Sequence, residues 1–216
     1  MIKNIALILA TTLTAISLNG CSSAYYSAME KVGVHKRDIM VDRVEEAKES
    51  QEEAQQQFKS ALEQLSELIA FDGGKLAEQY EATNDQYEAS KAAAEDVSSR
   101  IDAIENVANA LFDEWNEEIS QYESAKLKRQ SQLKYKETER RYNKLIASMR
   151  KAESRMAPVL TALKDNTLYL KHNLNAQAIG ALQGEYKAIK QDVEILIEEM
   201  NTAIQQSQQF IEMLTP

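Results

Sequence analysis

From Asp38 onward, apolar and small residues recur in steps of four and three: Met40, Val44, Ala47, Gln51, Ala54, Phe58, Ala61, Leu65, Leu68. A repeat averaging 3.5 residues keeps one seam of an α-helix apolar and winds partner helices around it in a left-handed sense. A β-strand has no use for such spacing, because its side chains alternate every two residues. Asp38 is the candidate N-cap. At Phe71-Asp72-Gly73-Gly74 the paired glycines supply the left-handed backbone of a C-cap, and the chain is expected to reverse.

A second run reads Leu76, Tyr80, Thr83, Tyr87, Ser90, Ala94, Val97, Ile101, Ile104, Ala108, Leu111, Trp115, with Phe112, Ile119 and Tyr122 broadening it. Past Ala125 the same phase would bury Arg129, Gln132 and Lys136. The repeat instead resumes one residue out of step at Tyr135, Thr138, Tyr142, Leu145, Met149, Ala152, Met156, Val159, Leu163. Something changes between 123 and 134, a bend in one helix or a reversal. The phase passes unbroken through Pro158, which reads as a kink or as the first turn of a new helix. His172-Asn173-Leu174-Asn175 interrupts next, with Asn175 able to cap the next helix. The last run is the most regular: Ile179, Leu182, Tyr186, Ile189, Val193, Leu196, Met200, Ala203, Ser207, Phe210, Leu214. Ile197, Ile204 and Ile211 widen its stripe beyond a two-stranded seam, which calls for a multi-helix core.

The expected fold is therefore all-α, an elongated antiparallel helical bundle or coiled coil with four long segments near 36–71, 75–122, 126–172 and 176–214. The alternative has three, with one continuous helix from 75 to about 157 or 172, since no glycine or proline enforces a turn near 126. Two prolines and six glycines in 216 residues suit long helices, and no run of alternating β-branched residues suggests a strand.

The N-terminus obeys a different logic. Residues 5–18, IALILATTLTAISL, carry no charge and come after Lys3. Such a run is too short for a bilayer span, which needs roughly 20 residues, and suits the apolar region of a secretory signal. A buried core helix is the other reading. Next comes Leu18-Asn19-Gly20-Cys21, with the only cysteine in the chain. It resembles the lipobox of bacterial lipoproteins, although Asn19 is not the usual small residue. That resemblance implies cleavage after Gly20 and a diacylglyceryl thioether on Cys21. Ser22 in place of aspartate implies release to the outer membrane. A free or intermolecularly paired thiol is the alternative. The chain then divides into a signal peptide (1–20), a lipidated N-terminus and tether (21–35) and a helical bundle (36–216).

Charge is unevenly spread. Residues 27–125 carry 9 basic and 24 acidic side chains, whereas 126–155 carry 11 basic and 3 acidic. A basic block could meet lipid phosphate, peptidoglycan carboxylates or an acidic region of a second copy. However, Lys126, Arg129, Lys136, Arg140, Arg141, Lys144, Arg150 and Lys151 surround the helix on every side except its seam, which favours a solvated surface. The acidic balance opposes nucleic-acid binding.

No catalytic pattern stands out. Glu-x-x-His pairs for a di-iron bundle are missing, because Val32 and Tyr169 precede His35 and His172 by three. Two histidines and one cysteine make no zinc set, and calcium loops, phosphate loops and nucleophile elbows do not occur. No enzymatic activity and no cofactor are expected. Two stretches draw notice. Trp115, the sole tryptophan, sits among Asp113, Glu114, Glu117 and Glu118, as a core residue or as the anchor of a partner surface. LKHNLNAQAIGALQG (170–184) holds His172, Asn173, Asn175 and Gln177, with Gly180 and Gly184 four apart. Turn chemistry and close helix packing explain it, or it forms a recognition loop at the end of the bundle.

YYSAMEKVGVHKRDI (25–39), ALFDEWNEEI (110–119) and LKHNLNAQAI (170–179) also resemble an uncharacterised family of bacterial lipoproteins, described as a domain of unknown function. The resemblance covers essentially all of the mature chain. It implies an all-helical periplasmic protein and supplies no activity or catalytic residues. The function expected is a non-enzymatic, lipid-anchored scaffold or spacer facing the periplasm from the outer membrane. It would bind another envelope component, with contacts at Trp115, His172, Asn173, Asn175 and Gln177. The alternative is a carrier or chaperone holding an apolar ligand or unfolded client. Self-association is left open.

Overall fold

In a computed structural model the repeat folds as five helices. The structure describes residues 21–71, 73, 75–173 and 175–215. Helix α1 spans Cys21–Lys31, α2 Lys36–Ile69, α3 Leu76–Gln121, α4 Ala125–His172 and α5 Ala176–Leu214. No strand occurs among the described residues. The four long helices form an up-down-up-down ring in which α2 packs on α3 and α5, and α4 packs on the same two. Cross-helix bonds fix the directions. Residue numbers fall on one partner as they rise on the other in Glu46–Arg100, Ser50–Asp96, Gln57–Gln86 and Gln64–Gln79 between α2 and α3. Lys48–Gln208 and Gln55–Asn201 do the same between α2 and α5.

The expected seam is the buried one where all four helices run side by side. Every expected position on α2, Gln51 included, is buried. On α4, Thr138, Leu145, Met149, Ala152, Met156, Val159 and Leu163 are buried, and the stripe continues through Asn166, Thr167 and Leu170. On α3 the expected line is buried at Thr83, Ser90, Val97, Ile101, Ile104 and Ala108, with Val107 beside it, and then moves to Phe112 and Ile119. The cause is length. With 46 and 48 residues, α3 and α4 reach about 70 Å, against roughly 50 Å for the 34 residues of α2. Above Phe112 helix α3 has mainly α4 to face, and its buried side rotates accordingly. Tyr122, expected to broaden the apolar surface, is exposed instead.

The out-of-step region is a reversal, so the single long helix is excluded. Tyr122 and Ser124 adopt extended backbone, and Ser124 caps α4 by accepting the Leu127 N–H at 3.4 Å. Neither takes a positive φ, so no glycine was required. At Pro158 helix α4 runs on without a break. Its ring sits on the exposed face, where the carbonyl it leaves unpaired can meet water. Two ends differ from expectation. His35, not Asp38, is the N-cap of α2, and the Asp38 carboxylate three residues on accepts the His35 N–H at 3.4 Å. Helix α2 ends at Ile69 with Ala70 as C-cap, ahead of the glycine pair.

Residues 21–31, expected within a tether, are helical and double back along the start of α2. Gly33 makes this possible. At φ +87° it lies in the left-handed region, its N–H donates to the Glu30 carbonyl, and the Val34 N–H reaches the Met29 carbonyl. This is the doubly bonded Schellman ending, with Met29 and Val34 both packed against the core. A Cβ at Gly33 would meet no neighbour, so φ alone sets the cost of substitution. Gly33→Ala is expected to loosen α1 by about 1 kcal/mol. Faster amide exchange over 26–31, with exchange in the long helices unchanged, is the check.

Candidate functional site

Two places combine the residues singled out above, and they lie at opposite ends of the rod. The head is built where α2 starts, α5 stops and the α3–α4 hairpin continues. Lys36 donates to Glu114 at 3.0 Å and also pairs with Glu30, tying α1, α2 and α3 together. Arg37 donates to the Leu214 carbonyl at the end of α5. Trp115 stands just above, half-buried. Its indole N–H donates to the Ser131 hydroxyl of α4 at 2.9 Å, and its ring meets Tyr135 edge-on at 5.7 Å. Phe112 continues the stack against Tyr135 at 5.5 Å and Tyr142 at 5.4 Å. Trp115 thus closes the upper core and is not freely exposed. Burial pushes the Tyr142 hydroxyl up to about 12, helped by the nearby Glu105 carboxylate, so it stays protonated at neutral pH.

Beside Trp115 a cavity of about 290 Å³ is bounded by Arg37, Glu118, Lys134, Thr138 and Met213. The Thr138 hydroxyl is fully buried without a hydrogen-bond partner. Among the described residues no group of three or more histidine, cysteine or carboxylate side chains could hold a metal ion. The arrangement can seat a small amphipathic group, but it assembles no nucleophile with a base.

The ion pairs at the head give a pH dependence with a definite sign. Hydrogen bonding to Lys36 holds the Glu30 carboxyl below its ordinary range. Burial opposes the Lys36 charge, but Glu30 and Glu114 outweigh it and hold the ammonium above its usual value. The contribution of Glu30 is present above the ordinary glutamate pKa and is lost as pH falls through its lowered one. That of Lys36 is present below the ordinary lysine pKa and is lost as pH rises through its raised one. Docking of α1 should therefore be flat from about pH 5 to about pH 10 and weaken outside that window. Limited proteolysis of α1 across pH tests this, and Lys36→Ala should abolish the acid limb.

The foot carries the amide-rich stretch. His172 ends α4 and is exposed. The Asn173 side chain donates to the Tyr169 carbonyl at 2.8 Å, and the Asn175 N–H donates to the Asn173 carbonyl at 2.8 Å. Asn175 stands directly before α5, the capping position expected of it. The side chain of Gln177 lies outside the described residues. Close packing does not explain the two glycines. Gly180 and Gly184 are exposed, and a Cβ on either would meet nothing within 4 Å. About 37 residues of α4 separate Ser131–Tyr135 from His172, roughly 55 Å of helix. Trp115 and the His172–Asn175 group therefore cannot form one site.

Sequence reasoning missed a groove of about 650 Å³ between α4 and α5, lined by Pro158, Asn166, Tyr169, Leu182 and Ile189. Continuing the α4 repeat past Leu163 would have found Asn166. Also missed was the pairing of Arg150, which grips Asp102 and Glu105 on α3 and Glu153 on its own helix. Those carboxylates, Glu105 foremost, hold its guanidinium firmly charged. Arg150, Lys151 (with Glu199, 2.7 Å) and Arg141 (with Glu137, 3.1 Å) are thus neutralised members of the basic block.

A family model described as a protein of unknown function (DUF2959) matches residues 25–214, nearly the whole described length. The chain belongs to this family. Its span runs from α1 to the last residue of α5, so membership covers the bundle and both ends. No curated protein and no solved structure matches the chain.

Cys21 opens α1, with its side chain outside the described residues. Gly20, the expected cleavage point, and the whole of segment 1–20 also lie outside them. No helix among the described residues is long and apolar enough to cross a membrane.

Proposed function

We propose that this protein is a non-enzymatic, lipid-anchored spacer of the bacterial envelope, joined to the outer membrane through Cys21 and holding another envelope component at its bundle. The observation that carries the reading is the Leu18-Asn19-Gly20-Cys21 stretch placed directly before a rod of four long helices that assembles no catalytic group among its described residues. Acyl chains contribute about 0.8 kcal/mol per buried CH₂, and two or more chains make a stable anchor. A rod of this length then sets a separation, and its ends offer contacts at the uncovered edge of the half-buried Trp115 and at His172, Asn173 and Asn175. Intact-mass measurement of the protein isolated from its native membrane tests the anchor. It should show loss of residues 1–20 and a lipid adduct on Cys21, whereas an intact N-terminal methionine with a free thiol would overturn the reading. Crosslinking from the foot, at Tyr169, should capture one reproducible envelope component.

A carrier role is the second reading, favoured by the α4–α5 groove with its apolar floor. Organic extraction of the purified protein should then release a stoichiometric apolar ligand, and an empty extract would remove it.

A further inference from the structure

Near the foot, helices α4 and α5 leave space that their own side chains do not fill. Pro158, Thr161 and Ala162 on α4 and Ala181 on α5 are short, and the groove of about 650 Å³ described above is lined by them and by the buried Leu182 and Ile189. Its volume falls in the range of small-molecule sites, roughly 300–1,000 Å³.

One buried group in this groove is incomplete. Asn166 lines it and is 6% exposed. The amide nitrogen donates to the Ala162 carbonyl at 2.7 Å, which fixes the orientation of the amide, and Oδ1 is left buried with no donor. A buried oxygen in that state costs free energy that a ligand N–H recovers.

The charge of the groove asks for the same partner. The Lys151–Glu199 pair, at 2.7 Å, sets the register of the two antiparallel helices. Fourteen residues along each helix from that pair, Asp165 of α4 and Glu185 of α5 stand level, both lining the groove. Each is exposed, and neither has an ion pair or a hydrogen bond among the described residues. Cations at the same level lie elsewhere. Lys164 lines the α3–α4 side, Lys190 is 3.9 Å from Glu194, and Lys187 is about 200° round α5 from Glu185. Arg155 is roughly 15 Å along α4 from Asp165, whereas Asp192 shares the face of Glu185 two turns on. The Thr161 hydroxyl spends its proton on the Ala157 carbonyl, at 3.0 Å. Apart from the Tyr169 hydroxyl, the polar side chains of this lining therefore offer acceptors.

We infer that the groove binds an apolar molecule bearing a protonated primary amine. Its ammonium lies between Asp165 and Glu185 and donates one N–H to Asn166 Oδ1, and its hydrocarbon runs along Leu182 and Ile189. A primary ammonium has three N–H donors and no acceptor, the complement of such a lining. An anionic amphiphile would meet two carboxylates, and a quaternary ammonium has no N–H for the buried oxygen. The inference rests on the carrier reading given above and narrows it to one head-group chemistry.

Titration calorimetry of the full chain at neutral pH tests it, with dodecylamine, dodecyltrimethylammonium, dodecanol and dodecanoate each below its micelle concentration. Dodecylamine should bind once per chain, about tenfold or more tighter than any of the others. D165N/E185Q should remove that preference. Asn166→Leu should weaken dodecylamine about tenfold and leave dodecanol no weaker. The double variant, at two exposed positions, carries the test should Asn166→Leu fold poorly. Equal affinity for dodecylamine and dodecanol would overturn the inference and leave the carrier reading standing. Dodecylamine binding that D165N/E185Q does not change would also overturn it, because the site would then lie elsewhere. Binding of none of the four would remove both.

Discussion

Phe58→Ala is expected to destabilise the bundle by about 3–5 kcal/mol, read as a fall of roughly 10 °C in the melting midpoint. Phe58 has no exposed surface and is among the largest fully buried side chains. Its neighbours along the α2 seam are Ala54 and Ala61, so its ring fills space they leave open. Helices held by packing on α3 and α5 cannot collapse into that void without moving both contacts, and the cavity term adds to the lost transfer energy. Phe58→Leu keeps most of the volume and should cost about 1 kcal/mol. Thermal melts monitored by far-UV circular dichroism check both. Equal melting of Phe58→Ala and wild type would mean that the four seams do not close on one another.

Gln51→Leu is expected to act in the opposite direction, raising stability by about 1–3 kcal/mol and the midpoint by roughly 2–8 °C. Gln51 occupies a core position with no exposed surface, and neither its amide nitrogen nor its amide oxygen has a hydrogen-bond partner. An amide taken out of water without compensation costs free energy that a leucine of similar size does not. Polar residues at such positions can select register, because misaligned pairings bury them equally badly beside different neighbours. The variant should therefore gain stability while broadening its alternatives, visible as a shallower melt or as concentration-dependent oligomers. A lower midpoint for Gln51→Leu would show that the amide is held by a partner.

Much of the fold was legible because a heptad seam is a local statement about one helix. Met40 to Leu68, Tyr135 to Leu163 and Ile179 to Leu214 could be read residue by residue, since each helix must bury its own stripe whichever partner it meets. The phase slip after Ala125 showed that something changed, but a slip cannot distinguish a bend from a reversal. Extended backbone at Tyr122 and Ser124 closes the turn without glycine, and Ser124, a plain N-cap, was the signal overlooked. Tyr122 was misplaced because its apolar character says nothing about how far a neighbouring helix extends. Of the candidate contacts, Trp115 and the His172–Asn175 group were found separately. That they sit at opposite ends depends on the direction of α4, which no motif encodes. The basic block looked evenly solvated on a helical wheel. Only the ring of helices separates Arg150, Lys151 and Arg141, which meet carboxylates, from Lys126, Lys128 and Arg129 beside the α3–α4 turn, which meet none among the described residues.

The amino-acid sequence by itself determined that this chain is helical, where its apolar stripes run, and that its one cysteine comes directly after an apolar N-terminal run. Those properties are carried by residue type and spacing along a single stretch of chain. Tertiary structure decided the reversal at 122–124, the return of α1 onto α2 through Gly33, the unequal helix lengths that leave the α3–α4 turn projecting and exposed, and the pairing of charges across helices. The physical reason is that exposure and ion pairing are relations between segments distant in sequence. They come into being only when packing settles which helix ends beside which.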